Sequence, residues 1–132
     1  MTTTLTPEQL NDGRPPFVVL LGIHYTSVSQ DSLEAEMLVR DDICTPHETC
    51  HGGAMMTFAD TMGAVSTVVN MPRDARTVTM ESKTNFLRGA PVGESSMAKP
   101  IVYTKAAAPR CGGQRLRAKT ANWPPVLHRR RW

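Results

Sequence analysis

The chain has 132 residues, 40% of them apolar, with three cysteines and a formal net charge of +3. This length fits a single domain that can bury its own core yet still gains from self-association. An odd set of three cysteines (Cys44, Cys50, Cys111) excludes a disulfide framework, and with no apolar leader core ahead of the first charges a cytoplasmic location is expected.

Thr6-Pro7-Glu8-Gln9 has the order of an N-cap, a proline at the first helical position and acidic or amide groups in the first turn. A short helix is therefore predicted to start there and to end at Gly13. Residues 17–21 form an apolar cluster ahead of Gly22, expected to pack at the entrance of the fold. Residues 23–28 and 33–40 then turn to β-type composition. Leu33, Ala35, Met37 and Val39 alternate against Glu34, Glu36 and Arg40, and Gln30-Asp31 lies between the two runs, which predicts a hairpin.

Residues 49–71 carry a different pattern: two glycines after His51, a long apolar body, one charge at Asp60 and a stop at Pro72. The interval predicts a helix of roughly five turns. It is apolar nearly all round, so other structure is expected to wrap it. A membrane span is not expected, because Asp60, several Thr and Ser and two Gly break a run that needs ~20 apolar residues. A lone carboxylate on a wrapped helix must be paired, hydrogen-bonded or used, and desolvation would raise its basicity. Asp60 is thus either bonded to a neighbouring Thr or backbone group, or functional. Free N–H groups at a helix N-terminus favour negative charge, and glycine lets a ligand oxygen approach closely, so Gly52 and Gly53 offer an oxyanion site. Met55, Met56 and Phe58 fit an adaptable apolar pocket and fit core packing equally well.

The loop before this helix, residues 41–50, brings Cys44, His47, Cys50 and His51 to a spacing that zinc uses. The glycines serve carbonyl polarisation better, so no metal is assigned; His51 either takes part in the chemistry or holds the loop through its ring. Beyond Pro72, residues 73–76 form a polar exit loop. Residues 77–87 predict a long strand with Val78, Met80, Ser82, Thr84 and Phe86 on one face and Thr79, Glu81, Lys83 and Asn85 on the other. Residues 95–105 predict a further strand.

His51-Gly52-Gly53-Ala54, then Phe58-Ala59-Asp60-Thr61, then Asn85-Phe86-Leu87-Arg88-Gly89-Ala90 and Gly93 together resemble the PaaI-type acyl-CoA thioesterases of the hotdog-fold superfamily. The likeness runs from about Pro16 to Lys105. It implies an α+β fold, an antiparallel sheet wrapped round a long central helix, and hydrolysis of acyl-CoA thioesters without metal or cofactor. By the same resemblance Thr79 stands where many relatives place a hydroxyl beside the catalytic carboxylate. Arg88 and Asn85 are candidates for contact with CoA. The chain departs from the pattern before His51. Thr45 stands where relatives usually have Asn, and Glu48 where they often have Gly; Thr45 can still donate a hydrogen bond.

A length then constrains the mechanism. Gly52 and Asp60 are eight residues apart, ~12 Å along a helix, too far to engage one carbonyl together. Two such helices placed antiparallel in a homodimer, alone or within a tetramer, would bring each Asp60 to the partner's Gly52 and Gly53. In this reading the glycine amides hold the oxyanion, Asp60 is nucleophile or general base, and Thr79 and Thr45 orient it or its water. The alternatives are a hotdog hydratase-dehydratase, a non-catalytic acyl-CoA binder and an inactive truncated product.

After Lys105 the chain changes character. All twelve acidic residues lie at or before Glu94, whereas nine of the fifteen basic residues follow it, so residues 1–94 carry −6 and the rest +9. A basic tail bearing Arg129-Arg130-Arg131 and two Trp fits a nucleic-acid or anionic surface. A one-base shift of reading frame fits better. In the frame that begins at each codon's third base, Lys105-Ala106 gives Gly or Ser, Cys111-Gly112 gives Arg or Trp, Asn122-Trp123 forces Leu and Trp123-Pro124 forces Ala. The junctions permit Gly-Arg-Arg-Thr-x-Val-Trp, which resembles the family's next strand, and later Asp-Gly-Lys-Leu-Ala, a hairpin turn entering a strand. The division expected is therefore a hotdog domain over residues 1–105 and an out-of-frame, poorly ordered tail over 106–132, with the last strands lost and neither nucleic acid nor membrane as partner. DNA sequence across codons 100–110 is expected to show the shift; an intact frame in independent isolates would contradict it.

Overall fold

Residues 33–39 form the middle of the fold because their alternation puts every second side chain on one face. Leu33, Ala35, Met37 and Val39 are all buried, while Glu34 and Glu36 on the other face are only partly covered. The computed structural model describes residues 5–72, 74–79 and 81–98. Its elements in chain order are helix α1 (Pro7–Asp12), helix α2 (Pro16–Leu21), strands β1 (Ile23–Val28) and β2 (Leu33–Leu38), a 3-10 turn (Asp41–Ile43), helix α3 (Gly52–Asn70) and strand β3 (Ser95–Ala98). The sheet is antiparallel in the order β1-β2-β3. The predicted hairpin pairs Ile23 with Met37 and Val28 with Leu33, with a bulge between Tyr25 and Ser27.

The first helix follows its sequence signal closely. Thr6 and Gln9 form a reciprocal capping box, with the Gln9 amide donating to Thr6 Oγ1 at 3.3 Å and the Thr6 amide to Gln9 Oε1 at 3.0 Å. The helix then fastens to the sheet through Asn11, whose side chain donates to Tyr25 O at 2.8 Å and accepts from Tyr25 N at 2.9 Å. Arg14 donates from Nη1 to Ile23 O at 2.8 Å. These side chains occupy backbone groups on the outer edge of β1 that a further strand would otherwise pair with. The apolar cluster at residues 17–21 is a helix that buries only Val18 and Leu21; Phe17, Val19 and Leu20 face out. Gly22 ends it at φ 70, and Arg40 donates to the terminal carbonyls of Leu20 and Leu21 while pairing with Asp42 at 3.0 Å.

The long central helix packs on the sheet through Phe58, Met62 and Ser66, four residues apart on one stripe. Among the described residues the wrapping expected from its composition is one-sided: Met56 and Val68 remain exposed. The hotdog architecture of a long helix on an antiparallel sheet is present, and its covered face is the sheet-facing one alone. No helix among the described residues is long and apolar enough to cross a membrane.

One expectation needs correction. The alternation over residues 77–87 predicts a strand, but residues 77–79 and 81–87 form none. Ser82 and Thr84 turn inward between exposed Glu81, Lys83 and Asn85, whereas Val78 is 81% exposed and Leu87 82%. Alternation fixes which way side chains point, yet a strand also needs a neighbour for its amides and carbonyls. None is present among the described residues, and the Thr84 hydroxyl is buried there without a hydrogen-bond partner. The predicted strand at 95–105 is observed as β3 up to Ala98; its remainder, and the whole tail at 106–132, lie outside the described residues.

Candidate active site

The entry to α3 is a small hairpin. Cys44 and Cys50 are bridge partners, and the turn between them is closed by Thr45 N–H to Thr49 O at 2.8 Å and Glu48 N–H to Thr45 O at 3.0 Å. Pro46 occupies a turn position that suits its fixed φ. Glu48 follows in the left-handed region at φ 55, as the third residue of a three-residue loop whose usual occupant is glycine. That is the position where the resemblance leads one to expect Gly. The hairpin is pinned from the other side by Cys50 N–H to Ala90 O at 2.8 Å and Val92 N–H to Glu48 O at 2.9 Å. A left-handed non-glycine costs ~1–2 kcal/mol, partly offset by the extra freedom glycine has when unfolded, so Glu48→Gly is expected to raise stability by about 0.5–1 kcal/mol. Urea denaturation checks this, and a lower midpoint would contradict the assignment.

His51 is the N-cap of α3. Its own amide donates to Ile43 O at 2.8 Å, its carbonyl accepts from Ala54 N at 2.9 Å and Met55 N at 3.2 Å, and its ring Nδ1 accepts from Gly53 N–H at 2.9 Å. The ring thus does at the helix start what Ser, Thr, Asp or Asn ordinarily does. One first-turn donor stays without a partner among the described residues, the Gly52 amide. The two glycines are fitted closely. A Cβ at Gly53 would lie 3.0 Å from His51 Nδ1, and one at Gly52 would lie 3.3 Å from Phe86 Cζ.

Two cavities flank this helix start. One of about 290 Å³ is lined by Phe17, Asp42, Cys44, His51, Gly53 and Thr57. The other, about 360 Å³, is lined by Gly52, Met55, Phe86 and Arg88 among others. The residues singled out in the sequence therefore divide. Gly52 and Arg88 share a cavity, and His51 and Gly53 share the other. Asp60, Thr45, Thr79 and Asn85 line neither. Thr45 is turned into its own hairpin, where its hydroxyl accepts from His47 N at 3.4 Å; Thr79 and Asn85 are exposed beyond the helix, outside any strand.

Asp60 sits on the helix face opposite the buried stripe. At ~3.6 residues per turn its side of the helix comprises Gly53, Met56, Thr57, Gly63, Ala64 and Thr67, none of them buried. Asp60 is itself half-buried, and no hydrogen bond or ion pair involves its carboxylate among the described residues. The enclosure expected from an all-round apolar helix is absent there among the described residues. Gly53 and Asp60 are two turns apart on that open face, ~10 Å along the axis.

Among the described residues no group of three or more His, Cys, Asp or Glu side chains is placed to hold a metal. Cys44 and Cys50 are free thiols. Burial pushes both thiols above their ordinary pKa; Asp41, Asp42 and Glu48 add to this at Cys44, and Cys44 adds to it at Cys50. Phe86 over Gly52 and Phe17 in the first cavity were not singled out for the site. Their exposure is the signal, and only coordinates display it.

Residues 47–103 match the Thioesterase superfamily. The chain is 30% identical, over 99 residues that make up 74% of it and 73% of the relative, to 1,4-dihydroxy-2-naphthoyl-CoA hydrolase of Escherichia coli (strain K12). Its fold is similar to a mutant thioesterase of Pseudomonas aeruginosa, with TM-score 0.71 and 27% identity over 77% of this chain and 74% of that one. A thioesterase of Haemophilus influenzae gives TM-score 0.71 and 26% identity over 78% and 72%. The Escherichia coli PaaI protein shares the fold at TM-score 0.66 and 22% identity, over 76% of this chain and 70% of that one. With its glycine-led helix seated on an antiparallel sheet, this chain belongs to the thioesterase superfamily and is a hotdog-fold thioester hydrolase.

Proposed function

We propose that the chain hydrolyses acyl-CoA thioesters to free acid and CoA in a site shared by two copies, whose α3 helices lie antiparallel with their open faces together. The observation that carries this reading is the open face itself. Gly53 begins it and Asp60 stands midway along it, two turns on, and apart from Met56 its other residues are small enough for a second helix to approach closely. A Cβ at Gly63 on this face would meet nothing within 4 Å. Exposed Met56, Val68, Val78, Phe86 and Leu87 supply the apolar surface that an association of copies would cover.

In the shared site the Gly52 amide of one copy donates to the thioester carbonyl oxygen and holds the charge that develops on it. The Gly53 amide, already engaged by the ring of His51, fixes the helix start; His51 positions and does not attack. Asp60 of the other copy takes a proton from water as the water oxygen adds to the carbonyl carbon, and returns it to the departing CoA thiolate. Alternatively the carboxylate adds directly and water opens the resulting anhydride. Thr79 and Thr45 would come to this centre only by contact between copies. Arg88, which lines the Gly52 cavity, and Asn85, exposed on the segment leading to it, would contact CoA in this reading. No cofactor is required by this chemistry.

Thiol release from a panel of short, long and aromatic acyl-CoA esters tests the reading. The expected result is free CoA in step with free acid. Alkene formation without thiol would favour a hydratase-dehydratase, and binding without turnover a non-catalytic binder.

A further inference from the structure

We propose that Cys44 and Cys50 are a reversible dithiol–disulfide pair that clasps the hairpin leading into α3. The two residues are direct partners in an antiparallel bridge. The hydrogen bonds on either side of them run from Thr45 N to Thr49 O and from His51 N to Ile43 O, both 2.8 Å. This pattern makes them a non-hydrogen-bonded pair, the type in which opposed Cα atoms approach to about 4.5 Å with both side chains on one face. Disulfides span Cα separations of about 4.4–6.8 Å, so the backbone need not move to join them.

The side chains are held apart by little. Cys44 Sγ donates to Arg40 O at 3.2 Å and Cys50 Sγ to His51 O at 3.8 Å, both weak thiol contacts that a change of rotamer releases. Each thiol lines one of the two cavities, but Cys44 is half-buried whereas Cys50 is 7% exposed, so the roles differ. Cys44 meets the oxidant and Cys50 resolves the product. With hydrogen peroxide, the Cys44 sulfur attacks one peroxide oxygen, the O–O bond breaks and water leaves, giving a sulfenic acid. The Cys50 sulfur then attacks Cys44 sulfur, the S–O bond breaks and a second water leaves with the remaining thiol proton. Two thiols lose two electrons in all, and one peroxide becomes two waters. A thiol reductant reverses the step.

The bond would tie Ile43 and His51, the two ends of the hairpin, and so fix the N-cap beside the Gly52 amide. The pair itself does not depend on the proposed hydrolysis, and its test reads covalent structure first. The full chain carrying Cys111→Ser is treated with hydrogen peroxide, quenched, and cut with a glutamate-specific protease, which separates Cys44 from Cys50 at Glu48. The expected result is the simultaneous loss of both thiols, one linked peptide species that dithiothreitol resolves into two, and a higher urea midpoint for the oxidised chain. Cys50→Ser in the same background should instead carry Cys44 on to sulfinic or sulfonic acid. Overoxidation of Cys44 in the presence of an unmodified Cys50, or a linkage between chains in place of the linked pair, would overturn the proposal. Thioester hydrolysis measured on the same samples separates this idea from the functional reading, since the linked peptide forms or fails to form whatever the activity.

Discussion

Asp60→Asn is expected to reduce thioester hydrolysis by about 10²–10⁴-fold, the range that a positioned proton-transfer group commonly supplies. Asparagine has nearly the same shape and cannot take a proton from water or add to a carbonyl. The substitution is also expected to leave the fold untouched. Asp60 lies opposite the buried stripe of Phe58, Met62 and Ser66 and has no hydrogen-bond or ion-pair partner among the described residues. Its replacement therefore belongs with surface changes that alter stability by less than ~0.5 kcal/mol. The measurement is kcat/KM by thiol release together with a urea denaturation curve. A large loss of rate with an unchanged midpoint is the predicted outcome, and an unchanged rate would remove Asp60 from the chemistry.

Gly52→Pro is expected to lower kcat by about 10²–10³-fold, the typical effect of deleting one oxyanion donor. This substitution is unusual in removing an amide hydrogen with little other disturbance. Gly52 is the first residue of α3, the one helical position where proline is favoured. The preceding His51 already has φ −62 and ψ 134, within the extended region that a following proline imposes. The three atoms nearest to a Cβ at Gly52 all belong to Phe86, whose side chain is 55% exposed and can turn aside. The His51 cap of Gly53 is retained. If the helix stays folded by circular dichroism and the rate is unaffected, the Gly52 amide is not the oxyanion donor.

Much of the fold was legible because its signals are local. The N-cap at Thr6, the helix end at Gly13 and the alternation of Leu33, Ala35, Met37 and Val39 each depend on a few neighbouring residues, and each appears where the sequence places it. The stretch on either side of residue 80, 77–79 and 81–87, was half legible. Its alternation points Ser82 and Thr84 inward, but pairing is a property of two segments, and no neighbour pairs with it among the described residues.

The helix around Asp60 teaches the same lesson about burial. Apolar composition all round α3 says that the surface must be covered, not by what, and among the described residues only the Phe58 side is buried. His51 was open between loop support and chemistry because a histidine cap is set by ring orientation, which sequence does not encode. Glu48 was read only as standing where relatives often have Gly, and its left-handed backbone conformation is the direct consequence of replacing glycine there.

The claim on which the rest depends is that Asp60 and the Gly52 amide acting on one thioester belong to different copies of the chain. Mixing purified Asp60→Asn and Gly52→Pro chains, after each is shown to be inactive alone, tests it directly. Equal mixing with exchange makes half the dimers hybrid, and each hybrid holds one site built from two intact halves. Thiol release should therefore return to about a quarter of the unsubstituted rate, as the statistics of a symmetric dimer require. A mixture that exchanges subunits and stays as inactive as its two components would contradict the shared site.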